Sequence, residues 1–287
     1  MVSQEVLRKI KEIEIIARRL VSSKRIGSAS SAQKGVGFEF DQLREYQPGD
    51  DVRAIDWNSS ARSQKLLVKQ YIEERNRTIF IVLDITASMA FSSQEKLKFD
   101  LASQIAALLA LVGNYGKDKI GLILFGQVVE TYRPAKMGRS WVWQIIHDIF
   151  SAAPSRTKTN ISQALMYLNR IKEKNAIVFV ISDFIDSSFQ KSLKTAALKH
   201  EIVAICVMDQ REFELPNCGI YHVLDVESGQ VNLLDTRNSC HINSLLRARL
   251  KEQENFFQQG NTSMITVFPG EQALHQVANF FTRKMRY

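Results

Sequence analysis

The sequence predicts an α/β protein: a doubly wound, mostly parallel sheet with an N-terminal helix and a small β-containing block ahead of it. Two observations carry this. Continuous apolar runs rich in β-branched residues recur at TIFIVLD (78–84), KIGLILF (119–125), AIVFVIS (176–182) and EIVAICV (201–207), and such runs mark strands buried on both faces. Helical periodicity fills the intervals at 95–115, 137–150, 160–174 and 188–199, as the crossovers of a parallel sheet require.

The remaining elements follow in chain order. Val6, Leu7, Ile10, Ile13, Ala17 and Leu20 recur at spacings of three and four, which predicts a helix over 5–21. GSASSAQKGVG (27–37) reads as a linker. In the charge-dense block at 38–78, Pro48-Gly49 supplies the fixed and positive φ values of a type II turn, and LLVKQYIEE (66–74) reads as a strand. VVETYRP (128–134) reads as an edge strand closed by Pro134. A hairpin turning at Ser228-Gly229 is expected within 216–238, then a helix at 240–259, a strand at 263–268 and a final helix at 270–285. These readings divide the chain into 1–77 (helix, linker and charged block) and 78–287 (the α/β domain, with the hairpin inserted near 216–238). Neither an internal repeat nor a low-complexity tract interrupts them.

Composition narrows the function. A chain of 287 residues buries a core without disulfides. Cys206, Cys218 and Cys240 lie far apart with no C-x-x-C pair. That excludes a cysteine zinc knuckle and a disulfide framework, and it points to a reducing compartment. A membrane span needs about 18 consecutive apolar residues, and the best run is IAALLALV (105–112). The first twenty residues alternate charge with apolar groups and lack a signal-peptide core, so a cytoplasmic location is expected. Net charge is +8, but the bases are interleaved with acids, as in RKIKEIE (8–14) and LRARLKEQE (246–254). Nucleic-acid footprints cluster on one stripe, so the pattern argues against that partner. An acidic protein or a membrane surface is equally compatible with the charge.

In open parallel sheets, ligands bind beyond the carboxyl ends of the strands. The first apolar strand ends in Asp84-Ile85-Thr86-Ala87-Ser88 and another ends in Ser182-Asp183, while Thr157-Lys158-Thr159-Asn160 opens a helix. A loop after a strand aims residues i, i+2 and i+4 at a common point. One carboxylate and two hydroxyls so placed form half an octahedral oxygen shell, and a threonine and an aspartate from neighbouring loops can complete the protein's share. Such a set suits Mg²⁺. The competing reading is local: Ser88, Thr159 and Asp183 can each cap a helix, and Thr157 rivals Thr159 as a ligand.

DITAS (84–88) resembles the D-x-S-x-S motif of von Willebrand factor A domains, with threonine for the first serine. TNISQAL (159–165) resembles the segment carrying that family's metal-binding threonine, and VFVISDFID (178–186) the strand ending in its second aspartate. The resemblance implies a metal-ion-dependent adhesion site. Asp84, Thr86, Ser88, Thr159 and Asp183 would hold Mg²⁺ (or Mn²⁺ or Ca²⁺), with one position open to a partner's Asp or Glu. Upstream, KGVGFEFDQLREYQPGDDVRAIDWNSSAR (34–62) resembles the signature of the bacterial domain-of-unknown-function 58 family. That resemblance implies an adaptor for a MoxR-type AAA+ ATPase, or contact with its client, in protein or complex maturation. It makes Arg44, Tyr46, Asp50, Arg53, Asp56 and Trp57 candidate partner-binding residues.

Structural readings of the same residues compete. Arg44, Arg53, Asp50 and Asp56 are expected to form a salt-bridge network, and Trp57 to lie in the core. The five histidines show no metal spacing. The alternative functions are a metal-independent scaffold docking through 38–71 and, third, a basic nucleic-acid binder. An aspartate followed at i+2 by threonine is similar to the haloacid dehalogenase phosphatases, but those need a second aspartate where Thr86 stands. No G-x-S-x-G elbow or P-loop lysine motif is present. A non-enzymatic binding module without a small-molecule substrate is therefore expected.

Overall fold

The computed structural model describes residues 4–27, 39–72, 77–91, 97–155, 158–186, 188–215, 217, 219–224, 231–237, 239–258, 262–270 and 272–284. Along them the chain forms α1 (Gln4–Gly27), β1 (Glu39–Glu45), α2 (Trp57–Ser63), β2 (Leu67–Ile72), β3 (Thr78–Asp84), α3 (Lys98–Tyr115), β4 (Lys119–Phe125), β5 (Val129–Lys136), α4 (Arg139–Ser151) and α5 (Ile161–Arg170). It continues through β6 (Ile177–Ser182), α6 (Gln190–Ala197), β7 (Glu201–Val207), α7 (Gln210–Phe213), β8 (Ile220–Leu224), β9 (Val231–Asp235), α8 (Ser239–Phe257), β10 (Thr262–Val267) and α9 (Ala273–Lys284). Two compact units result, one of residues 1–22 with 77–285 and the other of residues 23–76.

The larger unit is built on a six-stranded sheet of order β10-β7-β6-β3-β4-β5. Its pairs are parallel except β4 with β5. Period-2 alternation splits the central strand between two layers. Ile79, Ile81 and Leu83 share a core with buried residues of α1, α3, α4 and α9. Phe80 and Val82 share another with α5, α6 and Phe257 at the end of α8. Burial on both faces explains why β3, β4 and β7 are near-continuous apolar runs. Gly121 in β4 is small for a packing reason: a Cβ there would lie 2.4 Å from Cε1 of Phe80 and 3.1 Å from the Arg133 carbonyl oxygen.

The chain winds from β3 to β4 and β5 on one side, then returns to lay β6, β7 and β10 on the other. The winding therefore reverses between β3 and β6, which is where doubly wound sheets open a ligand crevice. Pro134 does not close β5, which runs on to Lys136. As the sheet's edge strand, β5 tolerates a missing N–H, and its register shifts between Ile120 and Leu122 as it passes the proline. β8 and β9 form a separate antiparallel pair; the expected turn at Ser228-Gly229 lies outside the described residues. No helix among the described residues is long and apolar enough to cross a membrane.

In the smaller unit, β1 pairs antiparallel with β2. The type II turn signal holds: Gly49 has φ +106° and the Asp50 N–H donates to the Gln47 carbonyl at 3.0 Å. The expected network closes instead as separate pairs. Arg44 grips Asp50 with two bonds of 2.6 and 2.5 Å, and Asp56 sits 3.6 Å from Lys69 while capping α2 through the N–H groups of Asn58 and Ser59. Trp57 is not a core residue, being 63% exposed. The buried residue of α2 is Ser60, whose hydroxyl accepts from the Leu67 N–H of β2 at 2.8 Å, so the helix presents a small polar side chain inward and Trp57 outward. The linker glycines Gly35 and Gly37 lie outside the described residues.

Candidate functional site

Asp84 is the last residue of β3, and its side chain is wholly buried. Beyond it the chain is pinned by backbone bonds, from Ile85 N–H to the Phe125 carbonyl at 2.9 Å and from Ser155 N–H to the Ile85 carbonyl at 2.7 Å. The loop carrying Thr159 is tied to the same rim by Asn160 N–H on the Gly126 carbonyl at 3.2 Å. These anchors gather four of the residues picked from the sequence. The Thr86 hydroxyl lies 2.7 Å from Asp84 Oδ1, 3.0 Å from Ser88 Oγ and 2.8 Å from Thr159 Oγ1. Thr86 is the hub of the cluster.

Asp183 follows β6 and is also buried. Its Oδ1 accepts from the Ile185 N–H at 3.4 Å and its Oδ2 from Lys98 Nζ at 3.1 Å. Helix capping does not account for these residues. Asn160, not Thr159, caps α5 by accepting from the Gln163 N–H. Ser88 is buried inside the short 3-10 turn Ala87–Ala90, and α6 begins only at Gln190, well past Asp183. Thr157 lies outside the described residues.

Three participants escaped the sequence reading. Ser182 donates to Asp84 Oδ2 at 2.6 Å and so fixes the second carboxylate oxygen. Lys98, the first residue of α3, has a fully buried side chain. Its ammonium reaches both Asp183 and Glu212, the latter at 2.8 and 3.0 Å. Glu212 is held by a capping box with Asp209 at the start of α7. A signal for Lys98 was present: it falls in phase with Ala102, Ile105 and Leu109, on the apolar stripe of its helix.

The electrostatics are one-sided. Burial, reinforced by the Asp183 charge, raises the Asp84 carboxyl to about 7. Burial also raises Glu212 despite the lysine beside it. For Lys98 burial acts downward, but the two carboxylates outweigh it and the ammonium is held above its ordinary value. It is the only lysine or arginine among the described residues that is fully buried. Among the described residues, Asp84 has hydroxyl and amide donors but no cation as hydrogen-bond partners. Asp84 with the hydroxyls of Thr86, Ser88 and Thr159 presents hard oxygen donors of the kind Mg²⁺ takes, and Asp183 is close enough for its charge to act on Asp84. No group of three His, Cys, Asp or Glu side chains able to hold a metal gathers among the described residues, so an ion here depends on the hydroxyls.

Next to this cluster, Phe184, Ile185, Met208, Leu246, Leu250 and Arg249 help line a cleft of about 140 Å³ that also includes Asp183 and Glu212. Helix α8 grips the loop after Asp183 through Arg249 Nη2 on the Ile185 carbonyl at 2.7 Å and Gln253 Nε2 on the Phe184 carbonyl at 2.9 Å.

The mostly parallel α/β sheet thus carries a cluster of oxygen donors at the point where its winding reverses. The chain belongs to the family described as "Protein of unknown function DUF58", whose model matches residues 42–255. It is 33% identical over 200 residues to an uncharacterized protein of Mycobacterium tuberculosis (strain ATCC 25618 / H37Rv), covering 69% of this chain and 63% of that one. It is 41% identical over 49 residues to the uncharacterized protein YeaD of Bacillus subtilis (strain 168), covering 17% of this chain and 12% of that one. The chain thus spans less than two thirds of these relatives. Similar solved structures include the conserved hypothetical protein BatB from Bacteroides thetaiotaomicron (TM-score 0.49, 15% identity, 74% of this chain and 100% of that one). The SpRpn10 VWA domain is another (TM-score 0.42, 11% identity, 71% and 94%).

Proposed function

We propose that this chain is a non-enzymatic protein-interaction module whose strand-end cluster holds a divalent cation, Mg²⁺ or Mn²⁺, and engages an acidic residue of a protein partner. The observation that carries this reading is the convergence of Asp84, Thr86, Ser88 and Thr159 on one another, with no cation bonded to the Asp84 carboxyl among the described residues. Asp84, Thr86, Ser88, Thr159 and Asp183 would be the protein's ligands. When bound, the ion supplies a Lewis-acidic position for a carboxylate and outweighs the site's own negative charge. The chain's residues do the rest: Ser182 orients Asp84 and Thr86 ties the three hydroxyls together. The exposed side chains of Phe91, Val128 and Ile185, on the loops after β3, β4 and β6, give a partner apolar contact. The family resemblance makes a MoxR-type AAA+ ATPase, or its client, the proposed partner in a maturation process inside the cell.

The test is calorimetric titration of Mg²⁺ and Mn²⁺ into the wild type and Asp84→Ala, followed by capture of the partner ATPase with and without chelator. One-site binding that disappears in the variant, with chelator-sensitive capture, supports the reading; capture that is equal in chelator and unchanged by Asp84→Ala overturns it. A second reading rests on a different observation. The 39–72 unit exposes Trp57, Val52 and Leu66, a set suited to metal-independent docking. Under that reading Trp57→Ala abolishes capture with metal affinity unchanged.

A further inference from the structure

We propose that Lys98 is a built-in counter-cation: a positioning residue that holds Asp183 and Glu212 in place when no ion is bound, so that the domain folds ion-free and the ion loads onto a preformed site. The proposal rests on the metal reading above and goes beyond it. An ammonium with no solvent exposure at the first residue of a helix is unfavourable twice over. It is stripped of water, and it stands at the positive end of the helix dipole. Its place there requires partners, and the fold supplies one from the loop after β6 and one from α7: Asp183 Oδ2 at 3.1 Å and Glu212 at 2.8 and 3.0 Å. The Phe91 ring, 5.9 Å away, adds a third favourable contact.

Two consequences follow from the geometry. With Oδ2 on the ammonium and Oδ1 on the Ile185 N–H, the Asp183 carboxylate has a fixed orientation before any ion arrives. One positive charge between two carboxylates still leaves a negative excess, and the oxygens of Asp84 are held by Ser182 and Thr86 instead. Lys98 thus steadies one wall of the site without neutralising the other. Glu212 sets the balance by sharing the ammonium: the more of its charge Glu212 takes, the more of Asp183's remains for a dication.

The experiment is thermal unfolding of the full chain, wild type and Lys98→Met, in chelator and in millimolar Mg²⁺ or Mn²⁺. The expected result is a lower melting temperature for Lys98→Met in chelator, with an ion-induced rise at least twice that of the wild type. Lys98→Arg, which keeps the charge, should behave as wild type. An ion-induced rise in Lys98→Met no larger than the wild type's overturns the proposal while leaving the metal reading intact. Absence of any ion effect or calorimetric binding in both proteins overturns the metal reading and this proposal with it. Should Lys98→Met fail to fold even with ion, Glu212→Gln decides. With the ammonium given wholly to Asp183, ion affinity should fall on the order of tenfold, and unchanged or tighter binding overturns the proposal.

Discussion

Charge is handled in opposite ways by the two units. In the 39–72 unit the acids and bases close on one another near the surface: Arg44 with Asp50, Lys69 with Asp56, and Lys65 with Glu45. At the carboxyl end of the large sheet Asp84 and Asp183 are buried, and burial with the Asp183 charge raises Asp84 to about 7. The first arrangement is complete as it stands and leaves its apolar side chains, Trp57 foremost, facing water. The second gathers buried hydroxyls around a carboxyl that has no cation among its described hydrogen-bond partners.

The largest effect that would sharpen this contrast is a pH dependence. Asp84 binds its proton more tightly in the folded state than in the unfolded one, so between about pH 4 and 7 the ion-free fold should lose stability as pH rises. Asp84's share of the slope, read as the difference from Asp84→Asn, is roughly 1.4 kcal/mol per unit, flattening above pH 7 where both states are ionised; burial-raised Glu212 adds in the same sense, and the lowered carboxyls of Glu14, Asp56 and Asp235 oppose it. Urea unfolding in chelator across that range measures it, and Asp84→Asn should remove that share. A wild-type profile parallel to that of Asp84→Asn would place Asp84 among compensated groups, like those of the smaller unit.

Thr86→Val comes next. It removes the hydroxyl shared by Asp84, Ser88 and Thr159 without changing the side chain's shape, and it should destabilise the domain by about 1–3 kcal/mol through unpaired polar groups. Ion affinity by calorimetry should drop at least tenfold, in step with the hub's place in the cluster. A smaller effect separates capping from ligation. Asn160→Ala should cost about 1 kcal/mol as a lost helix cap with ion affinity unchanged, whereas Thr159→Val should weaken the ion and spare the helix. Reversed outcomes would make Asn160 the ligand. The mildest test lies in the smaller unit: Arg44→Met should lower thermal stability without moving ion affinity, and a change in affinity would mean that the two regions are not electrically independent.

Much of the architecture was legible because burial on both faces leaves no choice of side chain. The strands β3, β4 and β7 have the limits at which their apolar runs begin and end. The Pro48-Gly49 turn was legible from backbone restriction alone. Trp57 was misjudged because a large apolar residue next to a helix start gives no sign of which way the helix will face. The terminator signal of Pro134 does not end β5, since a sequence does not reveal that the strand carrying it shifts register as it passes the proline.

Chain order places Asp84 and Asp183 at strand ends on one edge of a parallel sheet and Thr159 ahead of a helix, while the resemblance to the A-type motif is what joins them with Thr86 and Ser88 in one set. Their mutual distances were decided elsewhere, by backbone ties between loops such as Ser155 on Ile85 and Asn160 on Gly126. Sequence alone therefore determined the layers, the sheet and the edge on which chemistry could occur, since all three follow from local periodicity and burial. Only the tertiary structure decided that Ser182 orients Asp84 and that Lys98, on the inward stripe of its helix, meets Asp183 and Glu212. The charge on Lys98 is stable there only because partners 85 and 114 residues away arrive at the same point, and no local pattern encodes a meeting at that range.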